Sequence, residues 1–173
     1  MKRKKVAVIG GGASGLTAAY FASEKCSVTV FEKQKKTGRK ILVTGNGRCN
    51  ISNRHILPDR YHGHSPGFVN EIFSNFGLSE TEKFFRSIGI PFAEENEGKL
   101  FPYSLQASII PKVFHYELAA RGVDIRLHRK IEKIGPVKNG FMLITAGKED
   151  ELFDSVILSC GSCAFPSSGG SRS

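Results

Sequence analysis

The sequence has no tryptophan, only four cysteines, and no apolar run near the ~18 residues that a membrane-crossing helix needs. The last absence excludes a transmembrane helix. The cysteines, at 26, 49, 160 and 163, are too sparse for a disulfide scaffold, which fits a reducing, cytoplasmic compartment. Cys160-Gly161-Ser162-Cys163 has no second C-x-x-C and no H-x3-H to complete a zinc site, so no metal is expected. No Ser-His-Asp set and no pair of carboxylates can be argued from spacing. Met1 to Lys5 (MKRKK) followed by VAVIGGGASGLTAAYFAS has the charge profile of a signal peptide, but Gly10, Gly11, Gly12 and Gly15 break its apolar helix.

What is present is an ordinary globular composition: 173 residues, 40% hydrophobic and 24% charged. That length supports one domain with its own core, expected over 1–165, while PSSGGSRS (166–173) has little to pack and reads as a loose tail. Charge is unevenly placed. Residues 1–60 hold 13 Lys/Arg against 3 acids, whereas residues 61–173 hold 12 against 13. A basic first third calls for an anionic partner, either nucleic acid or a phosphate-bearing cofactor, or is simply a solvated basic face.

Lys5 to Ile9 (KVAVI) and Ser27 to Phe31 (SVTVF) read as strands on either side of an Ala-rich helix from Ser14 to Lys25. Strand, glycine turn, helix and strand within about 30 residues make a βαβ unit with a parallel pair. Residues 38–50 read as a short helix and a loop, and 53–66 as a polar surface loop. Two short amphipathic helices follow, Phe68 to Phe76 and Glu80 to Ile88, the second capped by Ser79 with Glu82 completing the box. Pro111 to Arg121 is a helix ended by Gly122, and Val123 to Leu127 a strand. Lys130 to Ile134, Phe141 to Thr145 and Glu151 to Phe153 form a β-meander, and Ser155 to Ser159 a buried apolar strand.

Gly10-Gly11-Gly12-Ala13-Ser14-Gly15 matches G-x-G-x-x-G in the context that gives the pattern meaning: a strand before it, a helix after it, and Glu32 at the end of the next strand. Gly10 allows the tight turn, Gly12 leaves room for a pyrophosphate, and Gly15 lets the helix pack closely. The helix N-terminus offers N–H groups and about half a positive charge to phosphates. Glu32 accepts ribose hydroxyls and repels a 2′-phosphate, which disfavours NADP there. A second glycine-rich string, Gly38-Arg39-Lys40 through Gly45-Asn46-Gly47-Arg48-Cys49-Asn50, permits close backbone approach, and Arg39, Lys40 and Arg48 can offset phosphate charge.

The strings VAVIGGGASGLTAA (6–19), GRKILVTGNGRCNISN (38–53), KLFPYSLQAS (99–108) and DSVILSCGSCAFPSSGGS (154–171) resemble the YhiN-like flavoproteins, which include aminoacetone-oxidase-type and dehydro-bile-acid-reductase-type members. The resemblance implies an α/β, Rossmann-like FAD-binding domain of glutathione-reductase type, with a parallel sheet and a β-meander. It implies FAD, with the pyrophosphate over Gly10 to Gly15, the adenosine ribose at Glu32 and the GRCN loop near the flavin. The cofactor-binding set expected on these grounds is Gly10, Gly12, Ala13, Ser14, Gly15, Glu32, Lys33, Arg39, Lys40, Gly47, Arg48, Cys49, Asn50, Ile131 and Gly161.

Two departures qualify that expectation. Family members usually carry Ala-Thr-Gly where this chain has Ser159-Cys160-Gly161, so no contact of that threonine carries over. They also continue into a substrate domain, so this chain is expected to be an N-terminal, incomplete FAD-binding portion. The function implied is hydride transfer through the flavin, with NAD(P)H as a reductant and a small molecule as substrate; the rival is a non-catalytic dinucleotide-binding module. Nucleic acid and membrane are set aside as partners. The Cys160/Cys163 pair is not expected to act as a dithiol, because a Gly/Ser tail follows it instead of a helix. Cys49 is expected to be a small packed residue, His55, His62 and His64 to be solvated, and Phe84, Phe85 and Phe101-Pro102-Tyr103 to belong to the core.

Overall fold

The computed structural model describes residues 2–62, 66–145 and 147–161. In chain order its elements are β1 (Lys5–Ile9), α1 (Ala13–Ala22), β2 (Ser27–Phe31), β3 (Ser52–Asn53), α2 (Pro66–Asn75), α3 (Leu78–Ser87), β4 (Phe92–Glu95), β5 (Lys99–Pro102), α4 (Ile109–Ala120), β6 (Asp124–Arg126), β7 (Ile131–Val137), β8 (Gly140–Thr145), β9 (Glu151–Phe153) and β10 (Ser155–Leu158). Tight 3-10 turns occupy Ile41–Gly47, Pro58–Arg60 and Asn96–Gly98. The chain divides into two compact units: Met1–Ile41 with Phe114–Ser173, and Leu42–Val113.

The first unit is the α/β core that the sequence predicts. Four strands run in the order β10-β1-β2-β6, and every neighbouring pair is parallel. Val6, Ala7, Val8 and Ile9 are all buried, as a central strand covered on both faces requires. In α1, Leu16, Ala19 and Tyr20 are buried at helical spacing. The meander β7-β8-β9 is antiparallel, and its Leu143 and Phe153 form one apolar cluster with Ala7, Ile9 and Phe31 of the parallel sheet. The Phe31 and Phe153 rings meet edge to face at 5.7 Å. At the rim of that cluster Arg126 pairs with Asp124 and Glu151, both at 2.6 Å.

One expectation fails here. The run Ser155 to Ser159 is apolar enough to read as buried, but β10 pairs only with β1 among the described residues, and Leu158 is 70% exposed. Residues with an apolar face thus lie at the edge of a sheet, a position that hydrophobicity alone does not report.

The second unit holds a feature that the sequence reading missed, a three-stranded antiparallel sheet in the order β3-β5-β4. Leu100, Phe101 and Pro102 of β5 are buried, whereas Tyr103, expected in the core beside them, is 73% exposed. Phe84 is buried, with its ring edge against Phe85 at 5.2 Å. The cap of α3 also differs from expectation. Gly77 is the N-cap, and the Glu80 carboxylate reaches back to accept its N–H at 3.1 Å, so the box lies two residues before Ser79 and Glu82. Gly77 fills that position because a Cβ there would meet the Phe73 carbonyl oxygen at 2.9 Å. The expected tail, 166–173, lies outside the described residues, as do Cys163 and His64.

Candidate functional site

The glycine turn joins β1 to α1, and close contacts within the first unit shape it. Gly10 has φ +109°, and a Cβ there would fall 2.4 Å from the Ser159 carbonyl oxygen, so both conformation and space demand glycine. A Cβ on Gly15 would lie 1.9 Å from the Gly10 carbonyl oxygen, which is how closely the helix folds back on the turn. Gly11 donates its N–H to Glu32 Oε2 at 2.8 Å, and its carbonyl accepts the Gly38 N–H at 2.8 Å. Ser159 Oγ donates to the Ile9 carbonyl at 2.9 Å and lies 3.0 Å from that of Gly10.

Against these closed contacts one direction is open. Gly12 is the N-cap of α1, with ordinary extended backbone, and among the described residues no side chain caps the helix and nothing lies within 4 Å of where a Cβ would stand. Ala13 and Ser14, the first helical residues, are exposed, and the first turn carries no acidic residue. An uncapped helix start with free space before it is an anion cradle in both geometry and dipole. A pyrophosphate fits there.

Glu32 is half-buried at the end of β2, and among the described residues both of its carboxylate oxygens are occupied once: Oε2 by the Gly11 N–H and Oε1 by the Gln34 N–H, each at 2.8 Å. An ionised carboxylate accepts about four hydrogen bonds, so the orientation that fixes it leaves lone pairs for ribose hydroxyls. The backbone after it is anchored as well. Arg129 donates its N–H to the Glu32 carbonyl at 2.9 Å and His128 to that of Gln34 at 3.2 Å, which sets Ile131, two residues on in β7, beside the same strand end. Lys33 is exposed there, and the half-buried Arg39 and Lys40 follow the Gly38 contact. Gly161, at φ +80°, lies two residues past the Ser159 staple. The first unit thus contains Gly10, Gly12, Ala13, Ser14, Gly15, Glu32, Lys33, Arg39, Lys40, Ile131 and Gly161.

Residues that the sequence reading passed over complete the turn. Thr37 is buried; its Oγ1 lies 2.6 Å from His115 Nε2 of α4, and its Cγ2 stands 2.7 Å from where a Gly11 Cβ would be. Ser159, read only as a departure from a family pattern, is the staple described above. Neither has a local signature, since each acts on residues far away in sequence. Cys160 is exposed, with its sulfur 3.5 Å from the Ile9 carbonyl oxygen.

Gly47, Arg48, Cys49 and Asn50 belong to the second unit. There Gly45, Asn46, Gly47 and Cys49 all have positive φ, between 55° and 81°, a density of left-handed backbone that is rare outside glycine. The turn is held from within: Arg48 and Cys49 donate their N–H groups to Gly45 and Thr44, and Ala107 donates to Gly47. Arg48, expected to offset phosphate charge, pairs with Glu95 at 2.6 Å and stacks over the Phe101 ring at 4.5 Å. Cys49 is buried, as expected of a packed residue, and burial pushes its thiol up despite an opposing hydrogen bond from Thr44. Among the described residues no three His, Cys, Asp or Glu side chains stand together in a way that could hold a metal ion, and no helix is long and apolar enough to cross a membrane.

Residues 4–173 match the family model described as the HI0933-like protein Rossmann domain. Over 168 residues the chain is 36% identical to the 3-dehydro-bile acid delta(4,6)-reductase of Clostridium scindens, covering 95% of this chain and 41% of that protein. Over 133 residues it is 33% identical to the ribosomal RNA dihydrouridine synthase of Haemophilus influenzae, covering 76% of this chain and 33% of the relative. The chain therefore spans less than half the length of these curated relatives. The crystal structure of Thermovibrio ammonificans THI4 shares the fold, with a TM-score of 0.61 at 15% identity over 93% of this chain and 58% of that one.

Proposed function

The chain belongs to the HI0933-like family of Rossmann domains, and from that premise we propose that it is the FAD-binding part of a flavin-dependent oxidoreductase. The observation that carries this reading is the open, uncapped start of α1 at Gly12, beside a Glu32 carboxylate already fixed by the Gly11 N–H. FAD, when bound, supplies hydride chemistry at its ring. The chain's own residues bind and orient: the N–H groups of the first helical turn take the pyrophosphate, and Glu32 takes the adenosine ribose. Glu32 also sets a negative charge where a 2′-phosphate would fall, which favours FAD over NADP at this turn. The relatives' names support reductive chemistry, since one is a reductase of a conjugated steroid and another a dihydrouridine synthase.

The substrate divides the reading. A small conjugated enone follows from the first relative. RNA follows from the second, and the basic composition of residues 1–60, with 13 Lys/Arg against 3 acids, gives that choice an observation of its own. Nucleic acid, set aside on sequence grounds, is therefore restored as a candidate partner. The test of the main reading is direct: purified chain is titrated with FAD and followed by absorbance and fluorescence. Saturable binding of FAD, with NADP at least about tenfold weaker, is expected; no FAD binding overturns the proposal.

A further inference from the structure

The unit Leu42–Val113 carries an open groove of about 740 Å³, whose lining includes Ser52, His55, Leu57, Arg60, Tyr61 and Glu97. Its walls are built before any ligand arrives. Asn53 donates from Nδ2 to the Glu97 carbonyl at 2.9 Å and accepts the His55 N–H on Oδ1 at 2.7 Å, while the Arg54 N–H donates to the Gly98 carbonyl at 2.7 Å. These three bonds fix the corner that bears His55 against the turn that bears Glu97. Tyr61 is held edge-on to Phe73, with centroids 5.3 Å apart, yet remains 48% exposed. Its ring is positioned without being covered.

The groups that project from those walls are uncommitted. Among the described residues no hydrogen bond or ion pair engages the Arg60 guanidinium or the His55 ring, and both side chains are exposed. Glu97, the one carboxylate among the described lining residues, is paired with Lys99 at 2.5 Å, so Arg60 sets the sign of the groove. Leu57, 48% exposed, adds apolar surface. A steroid-like apolar ligand would make no use of Arg60 and His55, and a bare phosphate would make none of Tyr61 and Leu57. One ligand class uses all of them: a planar ring to stack, a phosphate for the cation, and hydroxyls and base edges for the imidazole and Ser52.

We propose that this groove binds a phosphate-bearing nucleotide, with its base on Tyr61 and its phosphate on Arg60. The source is either a nucleotide of single-stranded RNA or a free dinucleotide such as NADPH. The assignment does not depend on FAD at the glycine turn, and FAD affinity is measured separately so that either reading can fail without the other.

The test titrates the whole chain with a fluorescent oligouridylate, followed by anisotropy, and with NADPH, followed by calorimetry, at about 0.15 M salt. Wild type is compared with Arg60→Gln, Tyr61→Leu and Tyr61→Phe, the last of which keeps the ring. At least one probe is expected to bind, and to bind about tenfold more weakly to Arg60→Gln and to Tyr61→Leu, with Tyr61→Phe and FAD affinity close to wild type. Binding of the oligonucleotide alone assigns RNA as the source, and of NADPH alone the dinucleotide. The proposal is overturned if neither probe binds wild type at about 1 mM, or if only one of the Arg60→Gln and Tyr61→Leu substitutions weakens binding or neither does. Arg60 is exposed, so Arg60→Gln remains a fair test even if Tyr61→Leu perturbs the Phe73 contact.

Discussion

Two glycine-rich turns with nearby cations look alike in this sequence and differ in the structure. At the first, residues 10–15, every close contact falls on the inner side, through Gly10, Gly11 and Gly15, while the helix start at Gly12 opens to space. At the second, residues 45–50, the backbone is equally contorted, but the turn closes on itself: Arg48 is held by Glu95 and Phe101, and Cys49 is buried. Glycine supplies conformational reach in both cases. What separates a ligand cradle from a structural corner is whether the donors and charges are already engaged by the protein, and composition does not show that.

The sharpest way to break the comparison is to close the inner side of the first turn. Gly10→Ala and Gly15→Ala each place a Cβ within 2.4 Å of a carbonyl oxygen, at 2.4 and 1.9 Å respectively. Each is expected to destabilise the first unit by about 3 kcal/mol or more, read as a fall in the urea midpoint. A midpoint like wild type would mean that the turn is looser than described. Glu32→Ala comes next, since it strips acceptors from the Gly11 and Gln34 N–H groups as well as from ribose. It is expected to weaken FAD binding by roughly 1–3 kcal/mol, measured by titration.

Smaller effects belong to the second turn. Arg48→Ala removes a half-exposed ion pair and a cation–π contact, and is expected to cost about 1 kcal/mol of stability by denaturant titration. A much larger cost would mark the pair as more deeply desolvated than its exposure indicates. The smallest effect is kinetic. Because burial raises the Cys49 thiol above its ordinary range, less of it is thiolate at any given pH near 8. Alkylation by iodoacetamide should therefore be slower at Cys49 than at the exposed Cys160, and should speed up with pH or in urea. Equal rates in the native chain would contradict the burial assigned to it.

Much of the first unit was legible because its signals are local. The β-branched run of β1, the glycine fingerprint, the 3.6-residue spacing in α1 and the Gly122 stop after α4 each depend on neighbours in sequence. The misses depend on partners. Phe92 to Glu95 (FAEE) does not alternate like a strand and becomes β4 only through its pairing with β5. Leu158 reads as core until the strand order puts β10 at an edge. In the site, Glu32 was identified by its distance from the glycines, whereas Thr37, His115 and Ser159 act on residues tens of positions away and leave no pattern to find. For Arg48 the sequence shows a basic residue in a glycine loop and gives no sign of Glu95, the partner that faces it in the structure.

The claim that the first turn is a cradle and not a corner rests on Gly12, whose backbone angles any residue can adopt and whose surroundings are empty among the described residues. Gly12→Ala exchanges one N-cap residue for a poorer one and should cost no more than about 1 kcal/mol of stability, leaving the fold intact. The same substitution puts a methyl group into the space that a pyrophosphate would occupy. The decisive measurement is FAD titration of Gly12→Ala beside wild type. A loss of affinity of about tenfold or more with the fold intact is the predicted result, and equal affinity would contradict the account.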